Sequence, residues 1–300
     1  MTHSEGSLTG IGGLALAWQR WAAPERRALV VIVHGAGEHG GRYEHVAHRL
    51  VGEGFDVWAL DHRGHGRSDG ARALIDRVDH AVSDLDAFVV QASAAAAELP
   101  LFMLGHSMGA MIALRYCLSH QDRLAGLVLS GALAALEGVS APLRAVGRLL
   151  SVVAPRAPLI AIEPALISRD PAVVEAYRAD PLVHHGKLPA RTAAEIADAV
   201  ESFPGTVGAI TLPTLIVYGT ADALCPPAGS TMLGERIGAD DLTVTAYEGL
   251  FHEVLNEPER ERVIADVLGW LSARTAGSSG QATAGPAAVT APSSSRQPLR

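Results

Sequence analysis

The chain has 300 residues, 48% hydrophobic and 19% charged, which supplies one large core or a core with an inserted subdomain and excludes disorder over most of its length. With 24 Lys and Arg against 32 Asp and Glu the net charge is −8, so the concentrated cationic surface that nucleic acid requires is missing and no nucleic-acid partner is expected. Two cysteines, Cys117 and Cys225, cannot build a framework of crosslinks, and no Cys/His spacing resembles a zinc site; two free thiols in a reducing compartment are the simplest expectation. The opening MTHSEGSLTGIGG lacks a basic segment followed by an apolar one, and no apolar run reaches the ~18 residues of a membrane span. A cytoplasmic protein is expected, with any membrane contact peripheral.

In chain order, GLALAWQRWAAP (13–24) alternates apolar with polar residues and fits an antiparallel edge strand. ALVVIVHG (28–35) is a continuous β-branched run ending in glycine, and RYEHVAHRLVGEG (42–54) has helical apolar spacing. FDVWALD (55–61), LPLFMLGH (99–106), LAGLVLSG (124–131), LPTLIVYG (212–219) and DLTVTAYE (241–248) repeat the strand pattern. Runs apolar on both faces, parted by helical stretches, describe an α/β fold with a mostly parallel sheet covered by helices. The interval 134–206 breaks this rhythm: its segments are all helix-like and none strand-like, with Asp170 before Pro171 as a helix start. It reads as a helical cap (134–206) inserted over the carboxyl ends of a core formed by 1–133 and 207–275. The last stretch, 276–300, is rich in Ala, Ser, Gly and Pro and is expected to be a disordered tail.

Residues 35–40, GAGEHG, match G-x-G-x-x-G between a strand and a helix, with Asp61 at the end of the next strand, the context of a dinucleotide site. Against that oxidoreductase reading, Glu38 sits where a pyrophosphate would approach, and a carboxylate there repels the anion. A turn after this strand can instead aim a backbone N–H at a developing oxyanion.

LGHSMGA (104–110) places Ser107 between Gly105 and Gly109 where strand gives way to helix, the context of a nucleophile elbow; the plainer alternative is a helix-capping serine. A serine hydroxyl needs a base within hydrogen-bond reach and an acid that holds the base. The expected chain order is Ser, acid, His, each after a strand's carboxyl end. Asp222, in the turn after LPTLIVYG, and His252, in the loop after DLTVTAYE, satisfy it. Singly, Asp222 also fits an Asx-turn and His252 a solvated loop, but three such positions in the right order select a catalytic triad. The backbone amides of Met108 and Ala36 would hold the tetrahedral oxyanion. Asp61 precedes Ser107, which breaks the order, so it is expected to anchor a turn; His106 is expected to be structural.

HGAGEHGGRYEHVAHRL, ALDHRGHGRSDG, LGHSMGA, GTADALC and YEGLFHEV together resemble the monoacylglycerol lipases of the α/β-hydrolase superfamily, bacterial type, across most of residues 10–273. The resemblance implies a serine hydrolase and esterase of lipid degradation that cleaves monoacylglycerols to glycerol and fatty acid, without metal or organic cofactor. It assigns Ser107, Asp222 and His252 as the triad, Ala36 and Met108 as the oxyanion hole, and places Glu38 and Arg42 near the polar pocket for glycerol. It also puts Cys225 where similar mammalian enzymes carry a reactive, non-essential cysteine. A lysophospholipase or short-chain carboxylesterase of the same fold is the alternative. In APLRAVGRLLSVVAP (141–155), Leu143, Val146, Leu149, Leu150 and Val153 share one helical face, with Arg144 and Arg148 on another. That helix is expected to bury its apolar face over the pocket, an arrangement compatible with contact to a micelle or membrane surface.

Overall fold

The computed structural model of the chain describes residues 1–136 and 141–275. An eight-stranded sheet forms its centre. The strands are β1 (Thr2–Thr9), β2 (Ala15–Ala22), β3 (Ala28–Val33), β4 (Phe55–Leu60), β5 (Leu101–His106), β6 (Gly126–Ser130), β9 (Thr214–Gly219) and β10 (Leu242–Tyr247). Their spatial order is β1-β2-β4-β3-β5-β6-β9-β10, with β2 antiparallel to both its neighbours and every later pair parallel. The sheet is flanked by α1 (Glu44–Gly52), α2 (Val78–Ala94), α3 (Met108–His120), α7 (Pro227–Arg236) and α8 (Arg260–Thr275). This is the mostly parallel, helix-covered α/β architecture that the apolar runs predict.

β3 explains why those runs are continuous rather than alternating, because all six of its residues are buried. Leu29, Val31 and Val33 face a core layer with Phe88 and Met111, while Val30 and Ile32 face the opposite layer with Leu50, Val267 and Leu271. Each such side chain contributes roughly 1.5–3 kcal/mol by leaving water. A strand sandwiched between two helical layers has no solvent face to mark with polar residues. Val33 on β3 is registered against Gly105 on β5, and His106 against Ser130 on β6, so the carboxyl ends of the three central strands finish together.

Two expectations need correction at the sheet edge and between β6 and β9. The strand over residues 13–24 is antiparallel, as expected, but it is not the edge: Thr2–Thr9 pairs along its whole length, from Thr2↔Ala22 to Thr9↔Ala15, and takes that place. The interval 134–206 carries α4 (Ala141–Val153), α5 (Pro171–Ala179) and α6 (Ala190–Thr206), with α6 packed on α3 and α4, yet it is not all helical. Pro158–Ile160 (β7) and Leu188–Pro189 (β8) form a small antiparallel ribbon there. Asp170 caps α5 as expected, its carboxylate accepting the Ala172 amide at 2.9 Å with Pro171 in the first turn. The tail proposed for 276–300 lies outside the described residues.

Candidate active site

The turn between β5 and α3 is fixed by close packing. Ser107 has φ 54° and ψ −120°, a backbone conformation that costs a non-glycine residue about 1–3 kcal/mol. Its surroundings enforce it: the Ser107 amide donates to Ser130 O at 3.0 Å, and its carbonyl accepts from the amides of Ala110, Met111 and Leu133. The flanking glycines are sterically required. A Cβ on Gly105 would lie 2.7 Å from Ala110 Cα, and one on Gly109 would collide with the carbonyl oxygens of Val33 and His34. The serine therefore stands at the head of α3 above the carboxyl edge of the sheet, as a nucleophile elbow requires.

The strand ends of β9 and β10 bring Asp222 and His252 together. His252 Nδ1 donates to Asp222 Oδ2 at 2.8 Å, and Asp222 Oδ1 accepts the amides of Leu224 and Cys225 at 2.9 and 2.8 Å. With Nδ1 committed as donor, Nε2 keeps its lone pair for a proton. Burial disfavours the imidazolium, but the Asp222 carboxylate outweighs it, so the His252 pKa rises above the ordinary histidine value of 6.5. Ser107 and His252 line the same cavity, although no hydrogen bond joins them among the described residues; the serine hydroxyl instead contacts Cys225 Sγ at 3.7 Å. Loose nucleophile–base geometry of this kind is ordinary before substrate binds. Cys225 is buried, and that burial pushes its thiol pKa up, a setting that suppresses rather than promotes reactivity.

The two expected oxyanion donors flank the serine. Met108, the first residue of α3, has no intrahelical acceptor for its amide, and neither its N–H nor that of Ala36 is taken by another hydrogen bond among the described residues. His34 sets the Ala36 amide. Its Nδ1 donates to Gly35 O at 2.8 Å while its Nε2 accepts the His62 amide at 2.9 Å, which fixes the Gly35–Ala36 peptide plane from behind. Burial holds His34 well below the usual imidazole pKa, with His62 and His65 adding to the effect, so this neutral tautomer persists.

Beside this turn Glu38 is buried and Arg42 is mostly so. Glu38 Oε1 accepts the Gly35 amide at 2.6 Å and the Tyr43 hydroxyl at 2.7 Å, and Oε2 accepts from Arg42 Nη1 at 2.6 Å. Burial raises the carboxyl pKa, but Arg42 and these donors outweigh it and keep Glu38 ionised. Arg42 does not line the cavity: it grips Glu253 with two hydrogen bonds, at 2.7 and 2.8 Å, and lies 4.8 Å from the centre of the Tyr177 ring. Glu253 was not anticipated, since a carboxylate next to a loop histidine reads as solvated until Arg42 is brought to it from 211 residues away. The GAGEHG turn is filled by its own Glu38, and Asp61 accepts the Gly40 and Arg67 amides, so this acid anchors the turn rather than facing a ribose. His106, expected to be structural, is bound to Ser130 O through Nδ1 at 3.0 Å; burial, with His252 alongside, lowers its pKa to about 4.

The cavity has a volume of about 350 Å³. Glu38, His106, Ser107, Tyr177, His252 and Glu253 form its polar part, while Leu133, Leu136, Ile162, Ile167, Leu188 and Ile196 belong to its apolar lining. An apolar slot leading to a serine and a buried His–Asp pair suits an ester with one oily and one polar side. The expectation that α4 buries its apolar face is not met at Val146, Leu149 and Val153; Leu150 is half-buried, and the Leu143 side chain lies outside the described residues. Val146, Leu149 and Val153 are 53%, 63% and 67% exposed, because Arg144 and Arg148 pair with Glu201 and Asp198 of α6 and turn the opposite face to the protein.

Residues 24–259 match the family model described as serine aminopeptidase, S33. The chain is 43% identical to the monoacylglycerol lipase of Mycolicibacterium smegmatis over 272 residues, 90% of this chain and 97% of that protein. It is 34% identical to the monoglyceride lipase of Homo sapiens, over 86% of each. Among solved structures, the monoacylglycerol lipase of Paleococcus ferrophilus is similar with a TM-score of 0.79 at 32% identity, covering 86% of this chain and 99% of that one.

Proposed function

The chain belongs to the serine aminopeptidase S33 family within the α/β-hydrolases, alongside the monoacylglycerol lipases, and from that membership we propose that it hydrolyses monoacylglycerols through Ser107. It is a carboxylic ester hydrolase. The observation that carries the assignment of roles is the buried His252–Asp222 hydrogen bond opening on the same cavity as Ser107 at its strained turn.

His252 Nε2 takes the Ser107 hydroxyl proton as Oγ attacks the ester carbonyl, and Asp222 keeps the imidazole oriented and stabilises the imidazolium that forms. The Ala36 and Met108 amides receive the charge that develops on the carbonyl oxygen. As the tetrahedral adduct collapses, His252 returns the proton to the departing glycerol oxygen, leaving the fatty acyl group esterified to Ser107. Water then attacks along the same path, again deprotonated by His252, and releases the fatty acid. The apolar lining from Leu133 to Ile196 receives the acyl chain, and each buried methylene contributes about 0.8 kcal/mol.

The exposed α4 face meets the lipid surface from which such a substrate is drawn. Val146, Leu149, Val152 and Val153 form its apolar side, and Ile160 on β7 is 43% exposed nearby in sequence. No helix among the described residues is long and apolar enough to cross a membrane, so this contact lies in the interface plane.

The test is release of oleate from monooleoylglycerol by the purified chain. Ser107→Ala is expected to lower turnover by about 10⁶-fold and to abolish labelling by a fluorophosphonate probe. Equal oleate release by wild type and variant overturns the assignment.

A further inference from the structure

The polar end of the cavity carries a charge imbalance that the hydrolytic steps do not use. Glu38 and Glu253 both line it, each nearly free of solvent contact at 3% and 5% exposure. Among the described residues, the guanidinium beside them is that of Arg42, whose Nη1 is shared between both carboxylates and whose Nη2 is held by Glu253. No described lysine or arginine lines the cavity itself. The other basic side chains nearby are also engaged: His39 with Asp180 at 2.8 Å, His252 with Asp222 at 2.8 Å, and Arg169 with Glu257 and Glu259. His106 stays neutral, and Tyr43 and Tyr177 keep their hydroxyl protons because burial drives their pKa values up. Two carboxylates against one bound guanidinium leave a buried negative charge that salt screens weakly.

Resting on the monoacylglycerol reading, we infer that Glu38 and Glu253 are specificity-determining residues that admit esters of uncharged alcohols and reject those whose alcohol carries an anionic group such as phosphate. The acceptor capacity is suited to that choice. Among the described residues, Glu253 Oε1 receives only Arg42, while Oε2 receives Arg42 and the Asn256 side-chain amide, so lone pairs remain for a donated hydroxyl. A phosphate dianion offers oxygens without a compensating donor, and it meets carboxylates of its own sign inside a low-dielectric pocket. Arg42 cannot turn to it without leaving one of its two carboxylates buried and unpaired.

The experiment uses the full chain and two dissolved esters that differ by one phosphate group: glycerol monobutyrate and its 3-phosphate. Neither assembles into a lipid surface, so the protein's overall charge does not act on an aggregate. The phosphate ester is expected to show a kcat/KM at least about 10²-fold lower at pH 7.5. The ratio should grow between pH 5.5 and 7.5 as the phosphate gains its second charge near pH 6, whereas exclusion by size alone would not move with pH. Titration of His252 affects both substrates and cancels in the ratio. Glu253→Gln is expected to shrink the discrimination about 5-fold or more. Equal kcat/KM for the two esters, a pH-independent ratio, or a ratio unchanged in Glu253→Gln each overturns the selector while the hydrolase assignment stands. Failure to cleave glycerol monobutyrate and monooleoylglycerol alike removes the hydrolase reading and the selector with it. The pH series needs only the wild-type chain, so it decides the matter even where the variant does not fold.

Discussion

At the polar end of the cavity every charged side chain is committed: Asp222 to His252 and two amides, Glu38 to Gly35, Tyr43 and Arg42, Arg42 to both glutamates. On α4, a short distance along the chain from the pocket residue Leu136, the apolar side chains of Leu149, Val152 and Val153 are all more than 60% exposed. One region is over-determined and holds atoms to fixed positions, as chemistry requires. The other leaves its apolar surface available, which suits a face that meets a disordered phase such as lipid. The contrast teaches that rigidity and exposure are divided between two regions of this molecule. Ion pairs and main-chain donors close the end that holds Ser107 and His252, and the α4 face proposed to meet lipid is left open.

Substitutions at the two ends should therefore differ in kind as well as size. The largest effect in the rigid region, after loss of the serine itself, is expected from Asp222→Asn. It should lower kcat by about 10⁴-fold by stabilising the wrong imidazole tautomer, measured as oleate release, with little change in substrate affinity. Ala36→Pro removes one main-chain donor and should cost about 10²- to 10³-fold in kcat. A change below ~3-fold there would mean that Ala36 does not face the oxyanion, given the usual size of that loss.

The pH profile probes the same region without mutation. Catalysis needs neutral His252, and its folded pKa lies above 6.5, so the acid limb of kcat/KM should have its midpoint above pH 6.5 and fall about tenfold per unit below it. A midpoint under 6.5 would show that Asp222 does not dominate the electrostatics of His252. In the open region, Leu149→Ser combined with Val153→Ser should change stability by no more than about 0.5 kcal/mol per site, read from thermal unfolding. The same double variant should lower the rate on monooleoylglycerol in vesicles roughly 3- to 10-fold more than the rate on dissolved glycerol monobutyrate. Equal effects on both substrates would break the contrast between the two ends.

Much of the rigid region was legible in the sequence, because β5 and β9, buried along nearly their whole length, leave continuous apolar runs whose ends mark where Ser107 and Asp222 stand, whereas β10 is a half-exposed edge strand and His252 is found instead by the expected order of serine, acid and histidine. What escaped has particular causes. Thr2–Thr9 is almost entirely exposed, so THSEGSLT carries no apolar alternation, and its strand exists only through pairing with β2. The β7–β8 ribbon is three residues against two, shorter than any period can reveal. The stripe on α4 was visible, but a stripe does not say which way it faces; the Arg144 and Arg148 pairs with α6 decide that. Glu253 gained meaning only when folding brought Arg42 to it.

The register of the central strands has a consequence for how durable the catalytic geometry is. Val33 and Gly105 are partners across β3 and β5, and the two proposed oxyanion donors, Ala36 and Met108, each stand three residues beyond them. Their separation is thus referred to the spacing of neighbouring strands, roughly 4.8 Å in any sheet, and to the turns that continue from them. In that sense the oxyanion hole is a dimension of the scaffold, much as a lattice constant belongs to a crystal. Sequence can drift widely on the surface and at the pocket walls without detuning it, and only a change that slides β3 against β5 or rebuilds one of the two turns can reach it.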